Sequence, residues 1–352
     1  MHRKAGAAKR KRQAAQTRAS AQPKQMAHCV GTRSGRAARA RTGSIYLPAM
    51  STRLLDPLAV QAQLRRLART PASDAVPFLH AEVARRMAER LAIIRLQPAR
   101  VIEWWGGLGG GGAVLRAAYP RARRDVVEPD AHWAERSSGA ARRAWWQAER
   151  WTGPAVRVHE AHAPAAETDA PVQLLWANMV LHAVADPPAL IAEWHKALAA
   201  DGFVMFSCFG PDTLSELRAL YRAAGWAPPG IDFVDMHDLG DMLLHAGFAD
   251  PVMDQEVLTL TWASADALLT ELRSLGGNAS PLRHAGLRTP RWRDRLRAAL
   301  DALRGADGRI ALRFEIVYGH AFKAAPRIPV QAETTVSLDT MRELVRGGRA
   351  PR

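Results

Sequence analysis

A run of glycines between a short strand and a helix is the feature that most constrains the fold of this chain. Six of the seven residues at 106–112 are glycine, and the exception is Leu108. The stretch at 100–103, which contains the β-branched pair Val101 and Ile102, predicts a strand before this run, and residues 113–119 predict a helix after it. A glycine-rich turn at this place lets a ligand approach the backbone amides closely, because no Cβ blocks the way. The sequence therefore predicts a site for a nucleoside-containing ligand on an α/β fold.

Strands and helices alternate along the rest of the chain. Short apolar stretches predict further strands at 125–128, 156–159, 172–177, 203–209, 252–261 and 310–317. Helical stretches lie between them, and those at 212–224 and 236–246 follow the fifth strand. This alternation predicts an α/β, Rossmann-like fold with a mostly parallel, seven-stranded sheet and a helical insertion after the fifth strand.

Positive charge is concentrated in the first 49 residues, which hold 12 basic residues and no acidic one. The whole chain has a formal net charge of +15, but the remaining 37 basic and 34 acidic residues contribute only +3 of it. A segment of this composition cannot form a hydrophobic core. We therefore expect a basic disordered tail at 1–49, one folded domain at 50–323 and a polar C-terminal tail at 324–352.

Three explanations of the basic tail stay open. It has the charge of a nucleic-acid-binding arm, but no aromatic residues are interleaved with its basic ones, so we expect no nucleic-acid partner. Its arginine-rich, acid-free composition also fits a transit peptide. The explanation that we prefer is that the segment reflects a GC-rich genome and that Met50 begins the functional chain, since 43 of the basic residues are arginine and only 6 are lysine.

Composition also excludes several classes of protein. No apolar run approaches the roughly 20 residues that a membrane-spanning helix needs. The chain has only two cysteines, Cys29 and Cys208, which excludes a disulfide scaffold and predicts a cytoplasmic protein. Neither has cysteine or histidine neighbours at the spacing of zinc ligands, so we expect no metal site.

The next acidic strand end after the glycines is a candidate for nucleoside recognition. Glu128 ends the second predicted strand, 21 residues after Gly107, and a carboxylate there can accept both hydroxyl groups of a ribose. Dinucleotides and S-adenosylmethionine both use this layout. The dinucleotide pattern fits 107–112 only weakly, because almost any spacing matches a run of glycines. The methyltransferase pattern, acid-x-Gly-x-Gly-x-Gly, falls on Glu103, Trp105, Gly107 and Gly109, with tryptophan in place of the first glycine.

Four stretches carry a more specific resemblance. They read FSCFGPDTLSELR at 206–218, FVDMHDLGD at 233–241, AGFADPVMD at 246–254 and EIVYGHA at 315–321. In these stretches the chain resembles the malonyl-acyl-carrier-protein O-methyltransferases of biotin synthesis, which are class I S-adenosylmethionine-dependent methyltransferases. The resemblance extends over roughly residues 55–322.

The resemblance implies methyl transfer from S-adenosylmethionine to the free carboxylate of a malonyl thioester, carried by acyl carrier protein or coenzyme A. A carboxylate is already a nucleophile at neutral pH, so catalysis consists mostly of alignment and desolvation and needs no catalytic triad. The resemblance also implies that Glu103, Gly107 and Gly109 hold the cofactor with Glu128. Glu160 and His162, after the third strand, would contact adenine. We further expect a monomer.

Three residues are candidates for the methyl-transfer chemistry itself. Asn178 and His182 follow the fourth predicted strand, where they would face the transferred methyl group. Arg218 lies on the helix after the fifth strand and can pair with an acceptor carboxylate through two hydrogen bonds.

Three departures from the family pattern bear on cofactor binding. Trp105 replaces a loop glycine, Gln173 stands where an acid is usual, and the usual Tyr-Asp pair is reduced to Asp74. In one interpretation cofactor binding is lost and the chain is a non-catalytic, methyltransferase-like partner or assembly protein. In the other the loop is shifted in register, with Gly107, Gly109 and Gly111 taking the three glycine positions while Trp105 packs at the end of the first strand.

The basic tail is expected to be dispensable for folding, because it has no periodic apolar pattern. A chain that starts at Met50 should therefore melt at the same temperature as the full chain in differential scanning calorimetry. A large drop in melting temperature would show that the tail packs against the domain.

Overall fold

The computed structural model describes residues 55–69, 76–141, 156–160 and 172–325, together with 338–339 and 341–342. The predicted tail at 1–49 and nearly all of the one at 324–352 lie outside the described residues, so the domain boundaries stay a prediction. Within the described part, no helix combines the length and the hydropathy that crossing a membrane requires.

Seven strands form one sheet. They are β1 (Arg100–Trp104), β2 (Arg123–Glu128), β3 (Val156–Glu160), β4 (Val172–Ala177), β5 (Leu198–Phe209), β6 (Phe248–Trp262) and β7 (Ile310–Lys323). Their order is β3-β2-β1-β4-β5-β7-β6. Only β7 runs against its neighbours, which are β5 and β6. The predicted Rossmann-like, mostly parallel, seven-stranded sheet is therefore confirmed.

Ten helices connect the strands of the described chain or precede them. They are α1 (Pro57–Ala68), α2 (Phe78–Arg90), α3 (Gly106–Gly109), α4 (Gly112–Ala118), α5 (Ala131–Ala141), α6 (Pro187–Ala197), α7 (Ser215–Ala223), α8 (Met236–His245), α9 (Ala265–Ser274) and α10 (Pro290–Asp301). The insertion predicted after the fifth strand is present as α7 and α8. A second helical pair, α9 and α10, lies between β6 and β7.

Local sequence explains where several helices begin. Asp56 accepts hydrogen bonds from the backbone amides of the first turn of α1, and Asp186 and Thr289 each accept one at the start of α6 and α10. A proline follows each of these residues in the first helical position, where its missing N–H costs nothing. Several strands are longer than predicted: β5 begins at Leu198 rather than 203, and β7 ends at Lys323 rather than 317.

Alternating side chains of the central strands supply two hydrophobic clusters. In β1 and β4, Val101, Leu174 and Trp176 belong to one cluster. Ile102 and Leu175, which lie between them in sequence, belong to the other. Side chains alternate between the two faces of a strand, so each cluster covers one face of the sheet. Burial on both faces leaves the strand ends as the place for polar chemistry.

The edge of the sheet opposite the glycine turn is held by polar contacts of its own. The Arg100 Nε lies 2.6 Å from the Asp125 Oδ2, and both side chains are buried. The Gln173 Oε1 accepts a hydrogen bond from the Arg100 amide, at 3.0 Å. Arg100 is the first residue of β1, whereas the glycines follow its last residue. Gln173 therefore lies at the edge away from the cofactor loop, and its difference from the family pattern does not touch that loop.

Candidate functional site

The glycine run folds into a tight turn at the carboxyl end of β1. Trp105 has a left-handed backbone with φ 53° and ψ 46°, and α3 follows as a single helical turn. Gly110 has a φ of 71°, and a Cβ there would lie 2.6 Å from a methyl group of Val76. Both the backbone angle and the close packing require glycine at this position.

Glu128 holds this turn from the end of β2. Its Oε1 accepts hydrogen bonds from the Gly107 amide, at 2.7 Å, and from the Ser137 hydroxyl, at 2.6 Å. The side chain is fully buried, and its Oε2 has no hydrogen-bond partner within the described residues. Burial raises the pKa of the Glu128 carboxyl to about 7, although the two hydrogen bonds oppose this shift. One oxygen of the carboxyl thus fixes the turn, and the other remains available to a hydroxyl donor.

Glu103 contacts the far end of the same turn. Its carboxyl is 3% exposed and lies 3.5 Å from the Arg124 Nε. Arg124 also donates a hydrogen bond to the Gly112 carbonyl, at 2.6 Å. Burial raises the pKa of Glu103, while the Arg124 guanidinium and a hydrogen bond from the Gly111 backbone lower it.

Asn178 joins the turn to the neighbouring strands. Its Nδ2 donates to the Gly109 carbonyl at 2.6 Å and to the His80 carbonyl at 2.8 Å. Its Oδ1 accepts a hydrogen bond from the Ser207 hydroxyl of β5, at 2.7 Å. Asn178 is 1% exposed and does not line the neighbouring cavity. Asn178 thus positions the turn, and its predicted part in methyl transfer stays a prediction.

A cavity of about 280 Å³ lies beside the turn, at the carboxyl ends of β4 and β5. Its apolar walls include leucines from α1, α7 and α9 and the aromatic side chains Phe209, Phe233 and Phe314. Its polar and charged side chains are Gln63, Arg66, His80, His182, Thr213, Arg218, Arg273 and Asn278. In the part of the chain that the structure describes, three arginines and no carboxylate line it, so the cavity favours an anionic ligand.

His182 and Arg218 both line this cavity, and their part in methyl transfer stays a prediction. The His182 ring lies 4.5 Å from the Phe209 ring and 6.1 Å from the Phe233 ring, measured between centroids. The Arg218 guanidinium donates to the Thr213 and Ile231 carbonyls. Its Nη1 also lies 2.9 Å from the Asp232 carboxylate, whose side chain is fully exposed.

Two of the family-like stretches meet beneath Arg218. Glu315 of β7 accepts hydrogen bonds from the Gly210 amide through its carbonyl and from the Asp212 amide through its carboxylate. The Thr213 hydroxyl bonds the Glu315 backbone as well. A Cβ at Gly210 would lie 2.6 Å from the Glu315 Oε2. The stretches at 206–218 and 315–321 therefore share one structural purpose, which is to fix the segment that leads to Arg218.

The remaining predicted residues are Glu160, His162 and Asp74. Glu160 ends β3, pairs in register with Glu128 and is exposed. His162 and Asp74 lie outside the described residues. Sequence reasoning missed two residues of the site. Ser137 contacts Glu128, and His80 contacts the glycine turn. His80 lies between apolar positions of α2, and its spacing gave no sign of a polar contact. The adenine contacts of Glu160 and His162 stay a prediction.

Trp105 packs into the hydrophobic core and does not line the cavity. It is 8% exposed and belongs to the cluster that contains Trp104, Leu108 and Trp133. The turn is held instead through the next glycines, because Gly107 bonds Glu128 and Gly109 bonds Asn178. These contacts favour the shifted register over a loop blocked by tryptophan.

The chain is similar to known methyltransferases. Residues 78–250 match the family described as "Methyltransferase domain". A malonyl-[acyl-carrier protein] O-methyltransferase of Gallionella capsiferriformans is 39% identical over 260 residues, covering 72% of this chain and 87% of that protein. The enzymes of the same name from Laribacter hongkongensis and Halorhodospira halophila are 38% and 37% identical, covering 77% and 71% of this chain and 91% and 82% of those proteins.

Replacing Trp105 with glycine should destabilise the protein. Loss of the buried indole costs about 3–5 kcal/mol, and relief of the left-handed backbone returns about 1–2 kcal/mol. We expect a net loss of about 2 kcal/mol in the free energy of unfolding, measured in urea. Trp105→Phe, which keeps the backbone strain and most of the burial, should lose less. A glycine variant as stable as the wild type would show that the indole is not a core residue.

Glu128→Gln should change how stability depends on pH. The pKa of Glu128 is raised from 4.5 to about 7. Below pH 4.5 the protonated carboxyl causes no loss of stability in the folded wild type, whereas stability is lost as the pH rises to about 7 and the buried group ionises. Glutamine does not titrate. Urea titrations at about pH 5 and about pH 8 should therefore show the variant gaining about 2.5 kcal/mol relative to wild type at the higher pH. If the difference in unfolding free energy between the variant and wild type did not depend on pH, the Glu128 carboxyl would be exposed to water.

Proposed function

The chain belongs to the malonyl-[acyl-carrier protein] O-methyltransferase family, and we propose that it transfers the methyl group of S-adenosylmethionine to the free carboxylate of a malonyl thioester. The observation that carries the proposal is the cavity beside the glycine turn, which is lined by Arg66, Arg218 and Arg273 and, among the described residues, by no carboxylate. Such a cavity attracts an acceptor that bears a free carboxylate and rejects one whose carboxylate is already esterified.

The residues around the turn fit S-adenosylmethionine. The buried Oε2 of Glu128 has no hydrogen-bond partner in the described part of the chain, which suits a ribose hydroxyl. Gly107 and Gly109 lie in the turn at the same edge, where a side chain would clash with Ser137 and Asn178, and Glu103 would support the turn from below. When bound, S-adenosylmethionine supplies an electrophilic methyl group on a sulfonium centre.

The protein's contribution to the reaction is alignment and exclusion of water. The acceptor carboxylate needs no general base, because it is ionised at neutral pH. Arg218 would orient it, with the guanidinium already held by two backbone carbonyls. Phe209, Phe233 and His182 form aromatic walls that exclude water and favour a nearby cation. The asparagine at 178 contributes by holding the turn in place.

The form of the thioester, the oligomeric state and the cellular location are further parts of the proposal. The names of the relatives support acyl carrier protein as the carrier, with coenzyme A as the alternative. We infer a monomer in the cytoplasm, where such thioesters are made.

The direct test is to incubate the protein with S-adenosylmethionine and malonyl-acyl carrier protein and to measure the carrier by mass spectrometry. We expect the mass to increase by one methyl group in place of a proton. Acetyl-acyl carrier protein, which lacks the free carboxylate, is the control and should be unchanged. If malonyl-acyl carrier protein is also unchanged, the non-catalytic partner or assembly protein becomes the better interpretation.

Arg218→Gln should weaken the use of the acceptor more than that of the methyl donor. Loss of a charged hydrogen-bond donor to a carboxylate costs about 1.5–3 kcal/mol, so kcat/KM for malonyl-acyl carrier protein should fall about 10- to 100-fold. The KM for S-adenosylmethionine should stay within about twofold. Asp232→Asn is the matched control, since it removes the ion pair but leaves Arg218 in place. If both variants behave alike, Arg218 serves only to hold its loop.

A further inference from the structure

His80 is a buried histidine whose two ring nitrogens have different surroundings. The residue is 1% exposed and lines the cavity next to the glycine turn. Its Nδ1 lies 3.2 Å from the Leu108 carbonyl oxygen. Its Nε2 is buried and has no hydrogen-bond partner among the residues that the structure describes. A buried polar atom of this kind indicates a ligand contact.

The contact with Leu108 determines which nitrogen carries the hydrogen. A carbonyl oxygen can only accept, so Nδ1 must be the donor. Burial lowers the pKa of His80 to about 4, and the ring is therefore neutral near pH 7. A neutral ring with its hydrogen on Nδ1 has a bare lone pair on Nε2. The ligand atom that fits His80 must consequently be a hydrogen-bond donor, which excludes a carboxylate.

Several backbone acceptors of the turn are already engaged. The Trp105 carbonyl accepts from the amides of Leu108 and Gly109, and the Gly106 carbonyl accepts from the Gly110 amide. The Gly109 carbonyl accepts from Asn178. The His80 Nε2 is thus a buried acceptor beside the turn that has no donor of its own within the described chain.

We propose that the His80 Nε2 accepts a hydrogen bond from the α-ammonium group of the methionine part of S-adenosylmethionine. The assignment rests on the proposed function, because it takes the nucleoside part to lie beside Glu128 on the other side of the turn. The ammonium is the strongest hydrogen-bond donor on that ligand. His80 is then a binding residue contributed by α2, outside the strand ends that ordinarily carry the site.

Two substitutions separate the two nitrogens of the ring. The amide nitrogen of asparagine reaches the position of Nδ1, so His80→Asn keeps the bond to the Leu108 carbonyl and removes the acceptor at Nε2. The amide of glutamine reaches the position of Nε2, so His80→Gln keeps an acceptor toward the cavity. The turn stays anchored by Asn178 in both variants.

The experiment is calorimetric titration of the full chain with S-adenosylhomocysteine and with its deamino analogue, which lacks only the ammonium group. Wild type should prefer S-adenosylhomocysteine by about 10-fold or more, as expected for a hydrogen bond from a charged donor. His80→Gln should keep most of this preference, and His80→Asn should lose it while binding the deamino analogue as wild type does.

Equal losses for both ligands in His80→Asn would overturn the assignment and leave His80 a structural residue. So would an unchanged preference in His80→Asn. Proton uptake on binding by wild type, measured in buffers of different ionisation enthalpy and absent in both variants, would show His80 paired with a carboxylate instead. If wild type binds neither nucleoside, the proposed function fails together with the assignment, whereas binding without a preference for the ammonium overturns the assignment alone.

Discussion

The hydrogen bonds of one buried amide hold the candidate site together. The Asn178 side chain ties the glycine turn, the start of α2 and strand β5 to the end of β4. Each neutral bond contributes only about 0.5–1.5 kcal/mol, but leaving the buried carbonyls unpaired would cost more. Glu128 adds a second attachment of the turn through Gly107. The two groups that we propose contact the ligand, the Oε2 of Glu128 and the Nε2 of His80, depend on the position of this turn.

The fold was largely predictable from the sequence, because its signals are local. A strand, a glycine run, a helix and an acid at the end of the next strand define the first half of the sheet, and the continuous apolar stretch at 203–209 marks its centre. The position of Glu128 beside the glycine turn was likewise predictable, since its distance from Gly107 in sequence follows from the length of one helix and one strand. The resemblance added the acceptor chemistry, which the spacing of residues does not contain.

The contacts that decide the details of the site were not predictable, because they join residues far apart in sequence. The residues next to His80 in sequence do not indicate its contact with Leu108, and those next to Glu315 do not indicate its hydrogen bond with the Asp212 amide. Trp105 appeared able to block the cofactor loop, yet its left-handed backbone directs the indole into the core. Gln173 lies at the opposite edge of the sheet, so its difference from the family pattern does not affect the glycine turn.

The central claim is that the glycine turn still binds S-adenosylmethionine, with Glu128 as the acceptor of its ribose hydroxyls. Calorimetric titration of wild type and of Glu128→Gln with S-adenosylmethionine, at a pH above 7 where the carboxyl is ionised, tests it most directly. We predict one site in the wild type and an affinity lower by about 10- to 100-fold in the variant. Equal affinities would contradict the assignment of Glu128, and no binding by the wild type would contradict the claim as a whole.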